Sequence, residues 1–192
     1  MSHKCTIIHN ETRQGGTINL YNAIWTCSPK TVAIIFDGDD FLKSPFVLET
    51  LVKVYSDPSV WITYGSDEHL STGQRAPNCH AFPLEVMENR SFRNYTWVGN
   101  HLRSFYAALF HKIRKEDMMY RGKFVPICSD LAYMLPMFEM ASQGHIRYIE
   151  EILYIYNDLN PLNDLKRRPR LNNRVSKFLA SKEPYLPLEK LF

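Results

Sequence analysis

The chain has 192 residues, 45% of them hydrophobic and 13% aromatic, a composition that describes a globular protein with a genuine core and excludes a disordered one. Its formal net charge of +3 is too small to argue for a nucleic-acid partner. No run is apolar and long enough for a membrane-spanning helix, and MSHKCTIIHNETRQGG lacks the apolar centre of a signal peptide, so the expected compartment is the cytoplasm. Cys5, Cys27, Cys79 and Cys128 are far apart, form no Cys-x-x-Cys pair and are expected as free thiols.

KCTIIHN, residues 4–10, reads as a short strand, with RQGG as the turn out of it. In TINLYNAIWTC the residues Ile18, Tyr21, Ile24 and Trp25 recur at helical spacing, with Thr17 as N-cap. VAIIF, Val32 to Phe36, is apolar at every position, which predicts a central strand covered on both faces, as in a parallel sheet. Ser44-Pro45 opens a helix through PFVLETLVKVY, and SVWITYGS predicts the next strand. Residues 4–66 thus read as strand–helix–strand–helix–strand, an α/β unit with right-handed crossovers.

Beyond Gly65 the pattern loosens. DEHLSTGQRAPNC is polar with a turn at Thr72-Gly73, and PLEVMENRSF predicts a short helix started by Pro83. NHLRSFYAALFHKI fits a strand or a helix. SDLAYMLPMFEMAS places Leu131, Met134, Leu135 and Phe138 on one helical stripe, closed by Gly144. HIRYIEEILYIYN predicts one or two strands. From Leu165 the chain is basic, with Leu171, Val175 and Phe178 on one face. The expected organisation is an α/β domain over 1–164 and a basic amphipathic tail, 165–192, packed on or beside it. The tail's Lys166, Arg167, Arg168, Arg170, Arg174 and Lys177 form either a solvated helix face or a peripheral membrane contact.

Chemistry concentrates in FDGDDFL. The apolar strand runs straight into Asp37, Asp39 and Asp40, which repel one another unless a cation or hydrogen bonds neutralise them. In open α/β sheets the ligand crevice lies at the carboxyl ends of the strands. A solvated turn accounts for one or two such residues. Three point to Mg²⁺ or Mn²⁺ together with a ligand that the metal holds. A haloacid-dehalogenase-like phosphatase would use this loop for its nucleophile, but Asp40 and Phe41 follow Asp39, which breaks the pattern where that family has its phosphate-binding hydroxyl. A nucleotide-sugar glycosyltransferase would use the Asp-x-Asp element for the metal that carries the donor diphosphate, and FDGDDFL fits that better. Asp130, at the start of the stripe helix, is either an ordinary N-cap or a general base that takes the proton of an acceptor hydroxyl. His101 and Arg103 are either loop surface or contacts to acceptor or phosphate.

Taken in order, RQGGTINLYNAI, VAIIFDGDDFL, HLRSFYAALFHKI and SDLAYMLPMFEMA with EILYIYN behind it resemble the family-2 glycosyltransferases, inverting enzymes with the A-type nucleotide-sugar fold. The likeness runs from about His9 to Asp164. It implies a Rossmann-like α/β sheet with helices on both faces, and transfer of a sugar from a nucleotide-diphosphate donor to a carbohydrate, lipid or protein hydroxyl. It assigns Gly16, Asn22, Asp37 and Asp39 to the donor, Asp39 and Asp40 to Mn²⁺ or Mg²⁺, and Asp130 to the base. Ser129-Asp130 stands where the family often has Glu-Asp. The family's first strand–helix–strand–helix stretch, which holds the nucleotide base, has no counterpart before MSHKCTII. The sheet is therefore expected to be N-terminally incomplete, with an unpaired strand edge, exposed apolar surface and self-association or a partner polypeptide. A non-catalytic binding module of the same fold is the alternative function on that ground.

Overall fold

A five-stranded mixed sheet forms the centre of the computed structural model, which describes residues 5–192. In chain order the elements are α1 (Gly16–Trp25), β1 (Val32–Ile35), β2 (Phe41–Leu42), α2 (Val47–Tyr55), β3 (Ile62–His69), α3 (Leu84–Glu88), β4 (Arg103–Tyr106), α4 (Ala107–Phe110), β5 (Met119–Tyr120), β6 (Lys123–Phe124), α5 (Ser129–Met140), β7 (Ile146–Tyr156), α6 (Asp164–Arg167) and α7 (Pro169–Ala180). The strand order is β1-β4-β3-β7-β2, with β5 and β6 in a separate hairpin. Only β3 and β7 run parallel; β4 is antiparallel to both β1 and β3. The α/β class expected from the sequence is present.

Two expectations are corrected. β1 is not a central parallel strand: it lies at the sheet edge and pairs with β4 alone, antiparallel. An all-apolar run records burial but not neighbours or direction. Ile34 packs beneath α2 beside Val47 and Leu51, Ile35 packs against the main core, and Phe36 stays half exposed. The outer edge of β1 has no strand partner among the described residues, and Leu48 and Val52 on the outer side of α2 are exposed. The strand expected over 4–10 is also absent: residues 5–10 are irregular, with Ile7 and Ile8 in solvent, and Lys4 lies outside the described residues.

Local chemistry explains the element starts. Gly15, at φ 97°, takes a backbone conformation that disfavours any other residue and turns the chain into α1. Thr17 then lies inside the helix and donates its hydroxyl to the Val125 carbonyl at 2.8 Å, instead of capping. α2 begins two residues after Pro45 and buries Val47 and Leu51 against Leu102, Ile149 and Leu153. The ambiguous stretch resolves into β4 followed by the short α4, and the polar residues after Gly65 continue β3 as far as His69.

α5 is buried from Ala132 to Met140, and the C-terminal stretch closes over it. Val175 and Leu179 of α7 pack on Val125, Ile127 and Ala132, and the Leu188 N–H donates to the Met140 carbonyl at 2.9 Å. The apolar face of α7 is therefore spent inside the molecule, while Arg170, Arg174 and Lys177 are exposed. Phe178, placed on that face by its spacing, stands against the Tyr120 ring instead, and Leu179 takes the inner position. No helix among the described residues is long and apolar enough to cross a membrane.

A buried ion pair ties these layers together. Arg93 meets Glu139 of α5 through two hydrogen bonds of 2.5 and 2.8 Å, and donates a third to the Leu179 carbonyl at 2.6 Å. The Tyr185 N–H donates to the same Glu139 carboxylate at 2.9 Å. Burying both charges is tolerable because their hydrogen-bonding capacity is filled; removing one partner strands the other. Glu139→Ala is expected to lower unfolding free energy by about 3–5 kcal/mol, measured by urea denaturation. A loss below about 1 kcal/mol would place this pair with ordinary surface ion pairs and contradict the assignment.

Candidate functional site

A cleft of about 1130 Å³ opens where the acidic loop leaves β1. Its walls are the first turn of α1, the loop Asp37–Asp40, the end of β3, the start of β4, the start of α5 and the segment after β7. Gly16, Asp37, Asp39, Asp40 and Asp130, five residues singled out by the sequence, all line it. Asn22 does not: it is exposed on α1, outside the lining, and Asn19 of the same helix faces the cleft.

The three loop carboxylates have different environments. Asp40 is buried, and its two oxygens accept the Tyr154 hydroxyl at 2.6 Å and the Asn157 N–H at 2.7 Å. Burial raises its pKa against the pull of those two bonds. Asp37 keeps 56% of its side chain exposed at the mouth, while lost hydration in the cleft raises its pKa, opposed by Arg103 and reinforced by Asp40, Asp39 and Asp130. Asp39 sits at the rim, where its carboxylate accepts from the Asn160 amide. The loop is thus pinned to the end of β7, because Tyr154, Asn157 and Asn160 all come from EILYIYN and the residues after it.

His101 and Arg103 are walls of the cleft, not loop surface. The His101 ring stacks on Tyr154 with centroids 4.3 Å apart, and its Nε2 lies 3.9 Å from a carboxylate oxygen of Asp37. Burial, aided by the Arg103 charge, holds its pKa well below 6.5 and keeps the imidazole neutral. Its Nδ1 is buried with no hydrogen-bond partner among the described residues. One potential ligand atom each from Asp37, Asp40 and His101 lie within 4.8 Å of one another. Two carboxylates and a neutral imidazole with a spare lone pair form a donor set fit for a divalent cation. Asp39, expected among the metal ligands, is outside that group.

Arg103 is buried in the opposite wall. Its Nε donates to the Gly99 carbonyl at 2.7 Å and its Nη2 to Asp130 at 3.2 Å, with Tyr133 within electrostatic reach. Asp130 is the second residue of α5, after Cys128 at φ 59°. Among the described residues its carboxylate has Arg103, and no backbone N–H, as its hydrogen-bond partner, so it is not acting as a cap. Asp67, which sequence reasoning missed, is buried at the end of β3 in the same cleft, and burial raises its pKa. Its SDEH context is as polar as any loop, so no sequence signal marks it as interior. Compared with models of known protein families and with curated proteins, the chain matches none.

Proposed function

We propose that this chain is an inverting glycosyltransferase that moves a sugar from a nucleotide-diphosphate donor to an acceptor hydroxyl. The observation that carries the reading is the pairing, across one cleft, of a metal-capable Asp37–Asp40–His101 group with a carboxylate, Asp130, that is held by a buried arginine and unused as a cap. The resemblance to family-2 glycosyltransferases over His9–Asp164, carried in part by the same acidic loop and Asp130, agrees with it.

Asp37, Asp40 and His101 would hold Mn²⁺ or Mg²⁺, which when bound neutralises charge on the departing nucleoside diphosphate. The imidazole tilts the set toward Mn²⁺, because Mg²⁺ is satisfied best by oxygen alone. Asp39, at the rim, is left for the donor's ribose. Asp130 accepts the proton of the acceptor hydroxyl as its oxygen attacks the anomeric carbon from the face opposite the leaving group. The new carbon–oxygen bond forms, the bond to the diphosphate breaks, and the electron pair leaves with the nucleoside diphosphate. Arg103 holds Asp130 in place through its 3.2 Å hydrogen bond.

With Asp130→Asn the hydrogen bond from Arg103 is retained and the base is lost. Turnover of nucleotide-sugar donors by the folded variant, read as release of nucleoside diphosphate, is expected to fall by about 10²–10⁴, with some loss of stability because the buried Arg103 loses its nearest negative charge. Wild-type turnover in the variant would refute the base. Binding of Mn²⁺–UDP with no turnover by the wild type on any donor would instead identify a binding module, and beryllofluoride trapped on Asp37 a phosphatase. The metal group makes its own forecast. Mn²⁺ affinity, followed by calorimetry, should stay flat through pH 6.5, where an ordinary imidazole titrates, because His101 is already neutral. It should then fall as protons reach Asp37 and Asp40, beginning above the 3.8 of an unperturbed aspartate because both pKa values are raised. A decline centred at 6.5 would contradict the buried, neutral His101.

A further inference from the structure

The cleft extends past Arg103 into a second corner that neither the metal group nor the base uses. Asp67, Asn78, Trp97 and Asn100 line it. Their bonds form a chain: Asn78 donates its amide hydrogens to the Trp97 carbonyl at 2.9 Å and to Asn100 Oδ1 at 3.1 Å, and Asn100 donates to the Cys79 sulfur at 3.2 Å. Cys79 in turn reaches Asp67 Oδ1, at 3.8 Å. Both amide hydrogens of Asn78 are thereby spent, while two acceptors are not: among the described residues the Asp67 carboxylate receives only that long thiol contact, and Asn78 Oδ1 receives nothing. Asp67 is 95% buried and lines the cleft, so the acceptor capacity it retains is directed there. The Trp97 ring lies folded over Gly99, where a Cβ would come within 2.6 Å of it, so glycine is what lets the ring sit beside the Arg103 anchor point.

We infer that this corner binds a pyranose ring of the acceptor, with neighbouring hydroxyls donating to Asp67 and Asn78 and the ring's C–H face against Trp97. This rests on the transferase reading for the word acceptor, but the chemistry of the corner stands by itself. Unspent acceptors call for a ligand rich in O–H or N–H donors. A cationic ligand is disfavoured, because the buried Arg103 guanidinium lies within electrostatic reach of Asp67. A serine, threonine or lipid alcohol brings one donor and leaves the second acceptor dry. A sugar brings vicinal hydroxyls and an apolar face, the combination that a carboxylate, an amide oxygen and an indole accommodate. Asp67 and Asp130 line the same cleft, and both feel the Arg103 charge.

The test is saturation-transfer NMR on the full chain with methyl glycopyranosides of glucose, galactose, mannose and N-acetylglucosamine, against N-acetylthreonine amide and octanol as single-hydroxyl controls. At least one pyranoside should bind, with transfer strongest on one ring face, and the controls should not. Asp67→Asn should weaken that binding about tenfold or more, the usual worth of a hydrogen bond to a charged group. Should Asp67→Asn fail to fold, Asn78→Ala serves with the same readout and the same direction. Mn²⁺–UDP binding, measured in parallel, separates the two proposals: sugar binding lost in Asp67→Asn while Mn²⁺–UDP never binds would support the corner and sink the transferase. Binding of no pyranoside, or binding indifferent to both substitutions, would overturn the inference, as would preference for either control.

Discussion

A single buried guanidinium, that of Arg103, is the constraint around which the cleft is organised. A charge with so little access to water is tolerable only where carbonyls and carboxylates converge on it. Gly99 supplies the carbonyl and Asp130 the nearest carboxylate, while Tyr133, Asp37 and Asp67 stand within electrostatic reach. β4 lies between β1 and β3, and so carries the cation into the middle of residues that would otherwise only repel one another. Burial, aided by the same charge, disfavours protonation of its neighbour His101, which leaves a neutral nitrogen near Asp37.

Around that centre the frame is built to hold α5 in place. The Arg93–Glu139 pair, the packing of α7 under Ala132 and the return of Leu188 to the Met140 carbonyl all act on this one helix. Its first turn carries Asp130, so distant packing fixes the aim of the proposed base. The acidic loop is fixed in a comparable way from the other side, since the end of β7 supplies Tyr154 and Asn157 to Asp40. The open edge of β1 and the exposed Phe36 remain the least protected part of the sheet, a place where unpaired backbone groups invite another strand.

Much of this was legible in the residues. FDGDDFL announced a strand that ends in concentrated charge, Pro83 and the stripe over Leu131–Phe138 announced helices, and the loop and Asp130 do share one cleft. What stayed hidden depended on partners distant in sequence. Whether VAII is central or at an edge is decided by β4, some seventy residues on, and periodicity carries no trace of that choice. Asp67 and Glu68 look like loop residues because their solvent-shielding neighbours, Cys79 and Lys43, come from elsewhere in the chain. Asn22 and Asn19 are one helical turn apart and equally polar, so only the placement of α1 decides which of them faces the cleft. His101 and Arg103, beside an apolar run, could equally have been surface or wall.

The central claim is that Asp37, Asp40 and His101 hold a cation at the place where the donor's diphosphate binds. Pulsed electron paramagnetic resonance on Mn²⁺-loaded protein with UDP measures both halves at once. The account predicts coupling to an imidazole nitrogen, lost in His101→Ala, together with coupling to ³¹P from the nucleotide on the same manganese ion. A manganese signal that shows phosphorus but no nitrogen, or nitrogen that survives the removal of His101, would contradict it.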